Sequence, residues 1–257
     1  MRIATWNVNS VVARLPRLLE WLQDTAPDAL CLQETKIADD GFPADAVREL
    51  GYQVATHGDG RWNGVAILSR VGLDDVVRGL AGGPGYPDPE ARAVGASCGD
   101  VRLWSVYVPN GREPGHDHYR YKLAWLASLR DVVAADVTRT DRLAVMGDFN
   151  VAPTDADVWD PAVFTESTHV TPPERAALAA LLEVGLVDVV PRPLKYDHPF
   201  TYWDYRAGNF HKNLGMRIDL VYATPPLAGS VTDAYVDREA RKGKGPSDHA
   251  PVVVDLR

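Results

Sequence analysis

A run of extended segments with no helix between them constrains this chain more than any other feature. Gln53–Thr56, Gly64–Ser69, Leu73–Arg78, Ala91–Cys98 and Val101–Val108 follow one another as apolar, strand-like stretches. A doubly wound parallel sheet needs a helix at each crossover, so this run excludes that fold. The flanks do carry helices. Arg2–Asn9 alternates like a strand, and Val11–Thr25 sets Val11, Leu15, Leu18, Leu19 and Leu22 on one helical face. Asp28–Gln33 reads as a strand and Ala44–Leu50 as a short helix. Asp117–Val137 predicts a long helix with Leu123, Leu126, Leu129, Val133 and Val137 inward, and Leu143–Gly147 a strand. Pro173–Glu183 predicts a helix opened by prolines, as a first turn allows. Ile218–Ala223, Ser230–Tyr235 and Val252–Leu256 close the chain as strands. The pattern fits an α/β (α+β) fold of two packed mixed β-sheets flanked by helices.

No linker, repeat or low-complexity tract interrupts the 257 residues, so one domain over 1–257 is expected. The cluster Ala81-Gly82-Gly83-Pro84-Gly85-Tyr86-Pro87 reads as a loop within it. No apolar run approaches the roughly 20 residues of a membrane span, and the first residues lack a leader pattern. Cys31 and Cys98 both sit in apolar, strand-like runs, which suits reduced core thiols in a reducing, intracellular compartment. With 35 acids against 27 bases the net charge is −8, which argues against a simple basic nucleic-acid binder. It leaves open an enzyme that gathers acids at a metal and bases on the surrounding loops.

Chemistry concentrates where strands end. Asn7, Glu34, Tyr107 with Asn110, Asp148 with Asn150, Asp219, and Ser247-Asp248-His249 all follow or flank apolar strands. Singly, each has a plain explanation. Glu34 suits a solvated loop, Asp148-Phe149-Asn150 a turn, and Asp219 a partner for Arg217. Together they supply hard oxygen donors of the kind that hold Mg²⁺ or Mn²⁺, and no zinc motif accompanies them. His249 suits proton exchange or phosphate contact near neutral pH, with Asp219 to orient it. Water attacking phosphorus beside a metal is the simplest reaction this set supports. A phosphate-binding Gly-Xaa4-Gly-Lys-Ser/Thr loop is missing from the sequence.

Six segments, in order along the chain, resemble the exonuclease III branch of apurinic/apyrimidinic endonucleases in the endonuclease/exonuclease/phosphatase superfamily. They are Ile3-Ala4-Thr5-Trp6-Asn7-Val8-Asn9, Leu32-Gln33-Glu34-Thr35-Lys36, Val106-Tyr107-Val108-Pro109-Asn110-Gly111, Gly147-Asp148-Phe149-Asn150, Arg217-Ile218-Asp219-Leu220 and Pro246-Ser247-Asp248-His249-Ala250-Pro251. The resemblance implies a four-layered α/β sandwich. It also implies a Mg²⁺-dependent phosphodiesterase, with Mn²⁺ as a substitute. Glu34 would be the principal metal ligand, with Asn7, Asp148, Asn150, Asp248 and His249 completing one or two sites. Asp148 would position or deprotonate water, supported by Asn150. Asp219 would orient His249 against the phosphate, and Tyr107 would contact the phosphate or the leaving oxygen. Tyr202, Met216 and Ile218, with Trp203 beside them, would wall a pocket for a base-less sugar too small for an intact nucleotide. Asn110 would line the site.

Lys36 and three basic groups would grip the backbone: Arg112, Arg120 and Lys122; Arg206, His211 and Lys212; Arg238, Arg241, Lys242 and Lys244. The implied partner is double-stranded DNA with abasic sites or 3′ ends. The implied setting is a cytoplasmic, nucleoid-associated monomer without a membrane. Other members of the superfamily act on RNA, inositol phosphates or phospholipid head groups, and those substrates are the alternative.

Overall fold

A computed structural model describes residues 1–80 and 90–257. The expected loop at residues 81–87 lies outside the described residues. The uninterrupted run of strands is present. β1 (Arg2–Asn7), α1 (Val11–Thr25), β2 (Ala29–Gln33) and α2 (Ala44–Arg48) are followed by β3 (Gln53–His57), β4 (Val65–Ser69), β5 (Asp74–Arg78), β6 (Ala93–Cys98) and β7 (Val101–Tyr107). Then come α3 (Asp117–Asp136), β8 (Leu143–Asp148), α4 (Pro172–Leu182), β9 (Val187–Asp188), β10 (Asp219–Ala223), β11 (Val231–Val236) and β12 (Val252–Leu256). Two four-residue helices, Asn209–Lys212 and Pro225–Ala228, and the two-residue β9 were not expected from the sequence.

The strands form two six-stranded mixed sheets. The first runs β11-β12-β1-β2-β4-β3 and the second β5-β6-β7-β8-β10-β9. Side-chain alternation explains how they stack. In β1 and β2, Ala4, Trp6, Leu30 and Leu32 face outward and pack with Leu18, Trp21 and Leu22 of α1. In β8 and β10, Leu143, Val145, Leu220 and Tyr222 face outward toward Trp125, Leu129 and Val133 of α3 and Leu181 of α4. The opposite faces of both sheets, among them Ile3, Cys31, Ile67, Leu103, Met146 and Val221, meet in a third core. The order of layers is therefore helix, sheet, sheet, helix, the four-layered α/β sandwich that the resemblance implied.

Cys31 and Cys98 are free and buried in the middle layer, and burial pushes both thiols upward in pKa, Cys98 to about 11. Among the described residues no helix is long and apolar enough to cross a membrane. The helices begin where local chemistry allows. Thr171 and Glu174 form a reciprocal capping box at α4, ahead of Pro172.

Candidate active site

Strand parity carries the polar residues to one place. Ile3, Cys31, Met146 and Val221 face the middle layer, so Asn7, Gln33, Asp148 and Asp219, an even number of residues away, face it too. Registry aligns them: Tyr107 lies beside Asp148, and Asp148 beside Asp219, across three adjacent strands. Beneath them the apolar core gives way to a hydrogen-bonded layer, in which the Gln33 amide donates to Thr5 and Ser105 hydroxyls at 3.0 Å each. The strands then end abruptly. Glu34 and Asn150 both turn into the left-handed region, with φ of 51° and 50°. The Ser10 N–H holds the Glu34 carbonyl at 2.7 Å. Gly147 keeps β8 close to β7, since a Cβ there would lie 2.0 Å from the Val106 carbonyl oxygen.

Glu34, Asp148 and His249 bring ligand atoms within 4.8 Å of one another. The Asn7 amide joins the two acids, donating to Glu34 Oε1 at 2.8 Å and Asp148 Oδ2 at 2.9 Å. His249 Nδ1 donates to Asp219 Oδ2 at 2.8 Å, and its Nε2 stands 3.8 Å from Asp148 Oδ2. Asp148 Oδ1 accepts the Asn150 N–H at 2.9 Å. Asn150 donates its side-chain NH2 to the Val108 carbonyl and accepts from Asn110. Asp248 lies at the margin, where its Oδ1 accepts from Asn9 at 3.0 Å. The Lys36 ammonium sits between Glu34 Oε2, at 2.7 Å, and Asn9 Oδ1, at 2.5 Å.

Electrostatics mark this cluster as short of positive charge. Burial raises Asp148 to about 7, Asp219 and Glu34 add to that, and His249 opposes it. Burial alone would lower His249, but Asp219 and Asp148 hold it up at about 10, so the imidazole is a cation at neutral pH. Burial also works against an ionised Glu34, yet Lys36 and Asn7 keep its pKa below the ordinary value. Burial, with Glu34 and Asp148 nearby, holds the Tyr107 phenol well above its usual pKa and therefore protonated. Asp219 Oδ1 is buried and has no hydrogen-bond partner. Crowded carboxylates, a carboxyl oxygen left unpaired and all-oxygen or imidazole donors are what a hard divalent cation satisfies.

The structure corrects several assignments. Arg217 does not pair with Asp219; it forks to Asp157 and Asp188 instead. Trp203 is a core residue at 1% exposure, bonded through Nε1 to Asn213, and it does not reach the substrate side. Ile218 packs in a small apolar cluster with Met216, Val158 and Ala152, and at 2% exposure it backs the pocket wall rather than forming it. Lys122 is not a phosphate clamp. Its ammonium is wholly buried against Glu174 and donates to the carbonyls of Asn110 at 3.1 Å and Asn150 at 2.7 Å. Arg238 and Arg241 are also buried. They stack on Phe210, and Arg241 donates to the Ser247 carbonyl, bracing the loop that bears His249. Arg112, Arg120, Arg206, His211, Lys212, Lys242 and Lys244 remain exposed.

Two neighbours of the cluster were invisible in the sequence. Arg92 lies over the Tyr107 ring at 4.8 Å. His169 places Nδ1 2.5 Å from the Asn150 carbonyl, and burial with Lys122 nearby lowers its pKa to about 4. Next to the cluster, the Tyr202 ring packs tilted against His249, centroids 4.9 Å apart, and borders a cavity of about 390 Å³ that Met216, His169, Asn110 and Arg112 also line.

Comparison with known proteins gives a consistent result. A model of the Endonuclease/Exonuclease/phosphatase family matches residues 4–249. The chain is 29% identical to exodeoxyribonuclease III of Haemophilus influenzae, with all of both chains covered. A structure of the 3′ phosphatase NExo from Neisseria, a variant bound to a product DNA hairpin, superposes with a TM-score of 0.95 at 39% identity, covering 100% of this chain and 99% of that one. An AP endonuclease from Archaeoglobus fulgidus gives 0.93 at 36% identity, with the same coverage.

Proposed function

The chain belongs to the Endonuclease/Exonuclease/phosphatase family, and from that premise we propose that it is a metal-dependent DNA-repair nuclease. In this reading residues 1–257 act as one domain. The enzyme cuts duplex DNA 5′ to abasic sites and removes nucleotides or blocking groups from 3′ ends. The observation that carries the reading is the convergence of Glu34, Asp148 and His249 between the two sheets, beside the cavity at Tyr202.

Glu34, Asp148 and Asp248, with Asn7, Asn150 and His249, are the proposed holders of one or two ions, Mg²⁺ in preference and Mn²⁺ as a substitute. When bound, the ion supplies Lewis-acid stabilisation of charge on the phosphate. The protein's own groups do the rest. Asp148, oriented by the Asn7 amide and the Asn150 N–H, positions water and takes its proton. His249, its Nδ1 fixed by Asp219, turns Nε2 to the site, where the neutral imidazole would hold an ion or the imidazolium donates to a phosphate oxygen. Tyr107, as a protonated phenol, donates to the phosphate or the leaving oxygen. Asn110 tethers Asn150 through their side chains. Exposed Arg112, Lys212 and Lys244, with Lys36, meet the DNA backbone, and binding weakens steeply with salt. The enzyme works as a monomer in the cytoplasm, at the nucleoid.

The test uses a labelled duplex with one tetrahydrofuran abasic analogue, a matched undamaged duplex and a duplex ending in a 3′ phosphate, each with Mg²⁺ or excess EDTA. Mg²⁺-dependent cutting 5′ to the lesion, or release of the 3′ phosphate, is expected. Turnover of neither, with the protein folded, transfers the site to RNA, inositol phosphate or phospholipid head-group esters.

A further inference from the structure

β7 ends at Tyr107, and the pairing of β6 with β7 stops one residue short of it, at Ala93 beside Val106. Across from Tyr107 stands Arg92, just ahead of β6. The Tyr107 N–H donates to the Arg92 carbonyl at 2.8 Å, which continues the ladder by one rung. In the other direction the Arg92 guanidinium donates to the Tyr107 carbonyl at 3.2 Å and lies over the Tyr107 ring, 4.8 Å from its centroid. One residue therefore holds both the main chain of Tyr107 and its ring. Strand parity puts the two side chains on the middle-layer face, Arg92 in step with Val94 and Ala96, Tyr107 in step with Val101 and Leu103.

The guanidinium is itself held. Arg92 Nε donates to Glu90 Oε2 at 2.5 Å, and the Tyr121 hydroxyl of α3 donates to the same oxygen at 3.3 Å. The Tyr121 ring is a second aromatic face against Arg92, at 5.9 Å. Arg92 borders the groove at Trp62 and Arg112, yet it is only 4% exposed, so its cation is turned inward. A buried guanidinium is a costly way to pack against a ring, since an apolar side chain would do so without losing hydration. What it adds is direction, because a planar fork bonds in its own plane and stacks on its face. Direction matters at Tyr107, whose phenol stands next to Glu34 and Asp148. Misplacing a reacting group by about 1 Å costs about a hundredfold in rate.

We propose that Arg92 is a positioning residue for the reaction, fixing the Tyr107 phenol at the reacting phosphate while touching no DNA itself. The proposal rests on the nuclease reading above and adds to it a residue outside the metal cluster. Glu90 and Tyr121 complete the brace, which runs from α3 through Glu90 and Arg92 to the end of β7. Its whole effect lies in the geometry from which Tyr107 donates to the phosphate or the leaving oxygen.

A double-mutant cycle tests this on the tetrahydrofuran and 3′-phosphate duplexes with Mg²⁺. Arg92→Met is expected to lower kcat about thirtyfold and to leave KM within about twofold. Tyr107→Phe is expected to lower kcat about a hundredfold. Adding Arg92→Met to it is expected to cost only about twofold more, because the group that Arg92 positions has gone. Arg92→Lys, which keeps the cation and loses the fork, is expected to recover about threefold of the loss. Labelling with 3-fluorotyrosine gives a readout without substrate. In EDTA, the fluorine line that vanishes in Tyr107→Phe is expected to shift and broaden in Arg92→Met, while lines of tyrosines away from Arg92 hold. Losses that multiply in the double variant overturn the proposal and make Arg92 structural. A raised KM at unchanged kcat overturns it too and makes Arg92 a backbone contact. So does a Tyr107 line that Arg92→Met leaves in place. If Arg92→Met does not fold, Arg92→Lys replaces it in the cycle and the spectra. Inactivity of the wild-type protein on every DNA substrate strikes the nuclease reading instead, and the spectra still decide the brace.

Discussion

Two clusters of buried charge meet at Asn150, and they are built on opposite principles. On one side Lys122 and Glu174, both with side chains at 0% exposure, form a saturated hub. Lys122 bonds two carbonyls, Thr168 and Glu174, while Glu174 also accepts from Thr168, His169 and Thr171. On the other side Glu34 pairs with Lys36 while Asp148 and Asp219 share His249, and Asp219 Oδ1 has no hydrogen-bond partner among the described residues. A saturated buried pair holds loops in place. A deficient one stores repulsion that a cation relieves. The difference separates scaffold from chemistry more sharply than burial alone.

The comparison breaks most visibly through substitution. Glu34→Ala and Asp148→Asn are expected to lower turnover about a thousandfold or more, some 4 kcal/mol of barrier. The melting temperature should hold or rise in Asp148→Asn, whose carboxyl is pushed up to about 7 by burial, and should fall modestly in Glu34→Ala, whose carboxylate Lys36 and Asn7 stabilise. Single-turnover kinetics and calorimetry check this. Mg²⁺ is also expected to raise the melting temperature of the wild-type protein, but not of Glu34→Ala. A cold, inactive Glu34→Ala that has also unfolded would show the acid to be scaffold.

Lys122→Met should do the reverse. Leaving Glu174 buried and unpaired is expected to cost about 3–5 kcal/mol of stability, measured by urea unfolding, and the double change Lys122→Met with Glu174→Met should recover most of it. Tyr202→Ala comes next. It is expected to reduce abasic incision about tenfold more than exonucleolysis, compared on tetrahydrofuran and undamaged duplexes; equal losses would make Tyr202 structural.

A further effect is one of pH. His169 titrates near 4 in the fold and near 6.5 in an unfolded chain. Between those values the unfolded state binds the proton and the native state does not, so the contribution of His169 is full above 6.5 and is lost as the pH falls toward 4. His169→Gln should therefore lose less of its melting temperature than the wild-type protein on acidification across that window.

Much of this was legible in the chain. The strands and long helices follow period-two and period-3.6 patterning, and their observed ends fall within a residue or two of the expected ones. The candidate metal-site acids Glu34 and Asp148, and His249, stood in short motifs at strand ends. What could not be read was decided by partners far away in sequence. Lys122 sits on a helix like any solvated lysine until Glu174 arrives from 52 residues further on. Arg238 and Arg241 look like surface bases until Phe210 covers them. Trp203 sits next to Tyr202, but the loop turns one to the cavity and the other to the core. His169 and Arg92 lie in no motif at all.

Strain at the ends of β2 and β8 has a consequence for descent. Glu34 and Asn150 hold backbone angles that glycine adopts freely and most residues do not. In a lineage released from the need for repair, Glu34→Gly would gain a relaxed turn at the cost of the Lys36 and Asn7 contacts. Decay is therefore expected to begin at the reaction centre and to leave the sandwich standing. Any silent descendant of this fold should be recognisable by glycine where the glutamate stood.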